Sequence, residues 1–185
     1  TSDSCNEETI DEIGQFDCGG CNHGVYESKD GGYQFVISSV AKVPCCRVCV
    51  NAHFTKATVH MLTDQPSDRS FGVNNALMIV YAFATAPYNT LLIHSSVIRK
   101  DGKGYLFLGK SGTGKSTHTR LWLKHIPESD LMNDDNPIVR YIDGKTSVYG
   151  SPWSGKTPCY RNIVAEAGAF VQLEQKKKNE IKREN

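Results

Sequence analysis

The sequence predicts an α/β chain with a mixed, α+β-like sheet. A small, mostly antiparallel β-rich region is expected over residues 1–88 with one helix at 74–86. A second domain, built on a glycine loop, follows over 89–173, and a charged tail over 174–185. Three observations carry this. Gly109-Lys110-Ser111-Gly112-Thr113-Gly114-Lys115-Ser116 fits G-x-x-x-x-G-K-[ST] at every fixed position, between a strand-like run at 105–108 and a helix-like run at 117–125, which is the context that motif requires. Residues 33–40 and 45–62 are rich in Tyr, Phe, Val, Ile and Thr, as strands are. Residues 130–135 run from an apolar pair into two carboxylates one helix beyond the glycine loop.

Composition narrows the partners. The net charge of +1 gives no bulk electrostatic case for nucleic acid or an anionic membrane. No apolar run approaches a membrane span. No signal peptide is read at Thr1. Seven cysteines, an odd count, beside a nucleotide loop predict reduced thiols and a cytoplasmic protein.

In the first region, residues 1–17 are polar and weakly periodic, compatible with a short helix or a loose terminus. Cys18-Gly19-Gly20-Cys21 with His23 resembles a metal knuckle, and Cys46-Arg47-Val48-Cys49 supplies a second C-x-x-C. Four such thiolates can close a tetrahedral zinc site. Against this, residues 43–54 read as extended, where positions i and i+3 face opposite ways; free thiols are the alternative. Residues 30–32 form a turn and 63–68 a loop. His53 and His60 read as packed or surface side chains. Ala76, Leu77, Val80, Tyr81 and Ala84 follow helical spacing, with Asn74 or Asn75 as cap and Pro87 at the end.

In the second region, residues 91–98 read as one strand that carries the polar His94 and Ser96, and Asp101-Gly102 turns the chain into 105–108. Glycines at 109, 112 and 114 let successive N–H groups of Ser111, Thr113 and their neighbours face one concavity. The helix start, Lys115 to Thr117, adds partial positive charge there. Lys115 is expected to reach the β- and γ-phosphates of ATP, and Ser116 to ligate Mg²⁺. Asp134 and Asp135 can divide the remaining work, one on the metal and one accepting a proton; an Asp-rich turn is the alternative. The expected Mg²⁺ ligands are Ser116 and Asp135. Residues 138–142 and 146–149 pair across Asp143-Gly144. The loop at 150–158 can present N–H groups and Lys156 to an anion, or simply connect elements. Residues 163–173 read as a strand, and the lysine-rich remainder as a solvated helix or tail.

Residues 91–173, about half the chain, resemble the catalytic domain of HPr kinase/phosphorylase, and through it the phosphoenolpyruvate carboxykinase-like P-loop kinases. His94, fifteen positions before Gly109, looks like the family's strand histidine. Residues 111–117 are similar to the carboxykinase wording. Asp134-Asp135 resembles the acid pair of both groups, and Arg161-Asn162 before Glu166 looks like the kinases' arginine segment. The resemblance implies Mg²⁺-dependent transfer of the γ-phosphoryl of ATP to a hydroxyl, on a protein serine or a small molecule. By that analogy His94 positions or neutralises phosphate and Arg161 touches the transferred group. A non-catalytic nucleotide-binding regulatory module is the alternative. The family's Arg-Gly-His before the acids is replaced by residues 125–129 with longer spacing, and no upstream carboxykinase domain is read, so decarboxylation is not expected. Twelve residues follow Leu173, so C-terminal helices of the family domain are expected to be shortened or missing, which is compatible with an active site that depends on a neighbouring subunit of a homo-oligomer.

Overall fold

The computed structural model describes residues 10–18, 21–155 and 157–183, with backbone alone for Ile10, Asp17 and Cys18. The chain divides into two units, Thr1–Tyr88 and Asn89–Asn185. It is a mixed α/β protein with one antiparallel sheet, one mixed sheet and two α-helices among the described residues. No helix among them is long and apolar enough to cross a membrane.

The first unit is a five-stranded meander in chain order: β1 (Ile10–Cys18), β2 (Cys21–Ser28), β3 (Tyr33–Ser38), β4 (Pro44–Val50) and β5 (Ala57–Met61). Helix α1 (Pro66–Thr85) packs on β3, β4 and β5. Period-two alternation places Phe35, Ile37, Cys46, Val48 and Val50 in one core with Ala76 and Ile79 of the helix. Three expectations are corrected here. Residues 10–17 are neither helix nor loose terminus but a strand, and the Cys18/Cys21 pair closes its hairpin; Gly-Gly between two paired runs is a hairpin signal as well as a knuckle signal. Residues 45–62 are two strands, parted where Asn51 Oδ1 accepts from the Thr55 and Lys56 amides at 2.9 and 3.0 Å. The helix starts at Pro66, eight residues before the expected Asn74, because Pro at the first helical position suits a helix start.

Gly72 shows how closely α1 approaches β4. A Cβ there would lie 2.7 Å from Cys46 Cβ and 3.2 Å from Met61 Cε. Gly72→Ala gains about 1 kcal/mol of helix propensity, but overpacking a core costs about 1–3 kcal/mol, and a Cβ close to the backbone cannot swing aside. The expected result is a lower denaturation midpoint with unchanged m-value in urea unfolding.

A cavity of about 900 Å³ opens between the C-terminal end of α1, the 52–55 loop, β1 and β3. Its aromatic wall includes Phe54 stacked on Phe83 at 5.2 Å. It is mainly apolar, so the candidate chemistry lies in the second unit.

That unit is a seven-stranded sheet of β6 (Thr90–Leu92), β7 (Ser95–Lys100), β8 (Lys103–Leu108), β9 (Asp130–Asp135), β10 (Ile138–Ile142), β11 (Lys145–Tyr149) and β12 (Val164–Gln172). The order is β6-β10-β11-β12-β8-β7-β9, with β12 and β8 parallel and the other neighbours antiparallel. Asp101-Gly102 and Asp143-Gly144 both have positive φ, as two-residue hairpin loops require. Helix α2 (Lys115–His125) packs on β7, β8 and β9, setting Trp122 against Tyr105 and His118 against Phe107. On the other face Val97, Leu106, Met132, Val139, Val148 and Ala165 form the core. The single strand expected at 91–98 is two. The break falls at Ile93-His94, so His94 stands just before β7 rather than within a strand. The described part of the 174–183 tail carries no helix or strand.

Candidate functional site

Sheet register gathers the motif residues at one end of the second unit. Ser95 lies opposite Leu108 on one side and Asp135 on the other; Ser96 lies opposite Phe107 and Asp134. The root of the glycine loop and the acid pair are therefore two strand spacings apart, about 10 Å. His94, one residue before β7, stands at the same end.

The loop itself has the form its glycines allow. Gly109, Gly112 and Gly114 have φ of 146°, 83° and 105°, a region that side chains disfavour. Gly114 caps α2. The first helical bond runs from the His118 amide to the Gly114 carbonyl, so the N–H groups of Lys115, Ser116 and Thr117 are those a helix start offers to an anion. Lys115 Nζ folds back over the loop and donates to the carbonyls of Gly109 at 2.8 Å and Lys110 at 3.3 Å. Ser111 and Thr117 are exposed beside it.

The two acids have different partners. Ser116 Oγ donates to Asp134 Oδ1 at 3.0 Å, and Ser96 Oγ donates to the same oxygen at 2.6 Å. Asp135 Oδ1 lies 3.4 Å from His94 Nε2, and its Oδ2 accepts from Asn136. Burial pushes the Asp135 carboxyl above its ordinary range, and the charge of Asp134 adds to this; His94 and Lys115 pull the other way without reversing it. Of the expected Ser116–Asp135 metal pair, the Ser116 hydroxyl bonds not Asp135 but its neighbour Asp134. Adjacent residues of a strand face opposite ways, and α2 covers the Asp134 face.

The 150–158 loop abuts the acids. Ser154 bridges to Asp135, and the Gly155 amide donates to the Asp134 carbonyl at 3.1 Å. A Cβ on Gly155 would sit 2.6 Å from that carbonyl oxygen, so only glycine permits this approach. Asn133, fully buried, ties the loop down by donating to Ser151 Oγ and the Trp153 carbonyl. Lys156 lies outside the described residues.

Arg161 is not brought to this end. It donates to the Leu131 carbonyl at 2.6 Å and pairs with Asp130 at 2.9 Å, at the far end of β9, about 16 Å of extended chain from Asp135. Arg99 holds the same carboxylate with two bonds, of 3.0 and 2.6 Å. These arginines, Arg99 first, keep the Asp130 carboxyl below its ordinary range. Its contribution to stability is therefore present above the ordinary carboxylate pKa and is lost as pH falls through the lowered one. Asp130→Asn is expected to cost about 1 kcal/mol at neutral pH, the size left to a solvent-screened pair of good geometry, and progressively less in acid. Urea unfolding across pH checks this.

The zinc reading fails at its second pair. Cys46 points into the first unit's core, its thiol pushed up to about 11 by burial and then by Cys45, whereas Cys49 occupies the opposite face and is disulfide-bonded. Cys21 is buried and free; the Cys18 side chain lies outside the described residues. The expectation of uniformly reduced thiols does not hold at Cys49. No group of three or more His, Cys, Asp or Glu suited to a metal occurs among the described residues.

Two site residues escape a motif search. Ser96 stands out only as a polar member of a strand. Thr119 stands three positions after Ser116, hence on the same helix face. A comparison of the chain with protein-family models and with curated proteins finds no match.

Proposed function

We propose that the second unit is the core of an ATP- and Mg²⁺-dependent phosphotransferase of the HPr kinase type, which moves a γ-phosphoryl group to a hydroxyl on a protein serine or a small molecule. The observation that carries this reading is the separate engagement of the two acids, Asp134 with Ser116 and Asp135 with His94. A nucleotide binder uses the first arrangement alone. A second carboxylate, half-buried and harder to ionise than usual, is what a proton-accepting step uses.

The residues fit the cofactor. The loop N–H groups and Lys115 would hold the phosphates, while Ser116 and Asp134 would hold Mg²⁺, directly or through water. Ser116 gives its proton to Asp134, so its oxygen lone pairs are left for the cation. Bound ATP with Mg²⁺ supplies the phosphoryl group. Asp135 takes the proton of the attacking hydroxyl, and His94, 3.4 Å from its Oδ1, positions it.

The test uses γ-labelled ATP, Mg²⁺ and a panel of seryl peptides and small alcohols. The expected result is ADP formation matched by label on a hydroxyl. Nucleotide binding without transfer to any acceptor would replace this reading with that of a regulatory binder. Absence of binding would remove both.

A further inference from the structure

We infer that Ser96 and Thr119 are positioning residues that set the metal-binding geometry of Asp134, an inference that rests on the nucleotide and Mg²⁺ reading above. All three side chains are withdrawn from water: Ser96 is 1% exposed, Thr119 2% and Asp134 6%. Ser96 Oγ is 2.6 Å from Asp134 Oδ1 and 3.2 Å from Thr119 Oγ1. Thr119 Oγ1 is also 3.1 Å from the Ser116 carbonyl.

Proton counting orients this cluster. Each hydroxyl has one proton to give. The short contact to a carboxylate takes the proton of Ser96, since hydrogen bonds to charged acceptors are the stronger ones. Ser116 spends its own proton on the same oxygen. Thr119 then donates to Ser96, which ties the first turns of α2 to β7, or within α2 to the Ser116 carbonyl. Among the described residues both donors to Asp134 fall on Oδ1, so Oδ2 is the oxygen left for a cation or its water. A carboxylate gripped twice on one oxygen is restrained against rotation about its terminal bond, and Ser116, donating its one proton there, keeps its lone pairs for another partner.

At 1% exposure the Ser96 side chain has no packing need of a hydroxyl, because alanine would fill nearly the same space. The hydroxyl is explained by the carboxylate that it meets. Partners that orient a metal ligand in this way typically change metal affinity about 10–100-fold when lost.

The experiment titrates Mg²⁺ against the protein and a non-hydrolysable ATP analogue by calorimetry, with a parallel titration of the analogue in EDTA. Ser96→Ala is expected to raise the Mg²⁺ midpoint about tenfold while leaving analogue affinity in EDTA within about twofold of the parent. Thr119→Val, which keeps shape and loses the hydroxyl, shifts the midpoint the same way by about threefold; Thr119→Ser, which keeps the hydroxyl, restores the parental value. A parental midpoint in both Ser96→Ala and Thr119→Val overturns the inference. So does an equal loss with and without Mg²⁺, which would mark a role in shaping the loop. A parent that binds no nucleotide at all overturns the underlying reading instead, and this inference with it.

Discussion

Lys115→Ala is expected to weaken binding of the Mg²⁺ complex of a non-hydrolysable ATP analogue about 100-fold and to leave thermal unfolding close to that of the parent. The magnitude follows from the ammonium's contacts. Its two hydrogen bonds are to carbonyls of the loop itself, Gly109 and Lys110, so the charge is already carried over the concavity that the N–H groups face. A hydrogen bond to a charged group is worth about 1.5–3 kcal/mol. Losing one or two of them to phosphate oxygens costs about 3 kcal/mol, or roughly two decades of affinity. The fold is insulated because the carbonyls released by the substitution lie on a loop open to water. Calorimetry measures the affinity and a thermal melt measures the fold. Parental affinity in the variant would remove the loop from any role in phosphate binding.

What the sequence made legible is what lies close together along the chain. Strand, glycine loop and helix start are contiguous, so residue spacing alone locates β8, the loop and α2. The acid pair is found because it closes a strand. What was not legible depends on which face of an element is covered. Asp134 and Asp135 are neighbours in sequence but look to opposite faces, and only the seat of α2 on β7, β8 and β9 decides that Ser116 meets the first. The apolar Leu121 and Leu123 of the same helix are exposed, and it packs instead through Thr119, His118 and Trp122. Arg161 illustrates the third limit. Its distance along the chain does not say which end of β9 it reaches, and Asp130 with Arg99 already there makes the far end the electrostatically favourable one. In the first unit, the polar opening turn of α1 reads as loop until Pro66 is taken as a first helical residue.

Asp135→Asn separates chemistry from both binding and stability. Turnover is expected to fall about 10²–10⁴-fold, the usual worth of a positioned general base, with analogue affinity within about threefold of the parent, since Ser116 and Asp134 are untouched. Stability moves the other way. Burial raises the Asp135 pKa in the folded chain, so the folded state favours the protonated carboxyl. That contribution is fully present below the ordinary carboxylate pKa and is lost as pH rises through the raised value. Asparagine cannot ionise, so the variant is more stable than the parent at neutral pH, and the difference closes in acid. The parent's turnover rises with pH through the same raised pKa, because only the ionised carboxylate accepts a proton. Asp134→Asn differs on each count: the amide oxygen can still accept from Ser96 and Ser116 as Oδ1 does, but its NH₂ then takes the place left for the cation, so Mg²⁺ dependence is expected to be lost along with turnover. Stability that rises while turnover falls is the mark of a group kept for chemistry at the expense of the fold. An Asp135→Asn variant that turns over like the parent, or that unfolds more readily at neutral pH, would assign the residue to structure and leave the proton without an acceptor in this site.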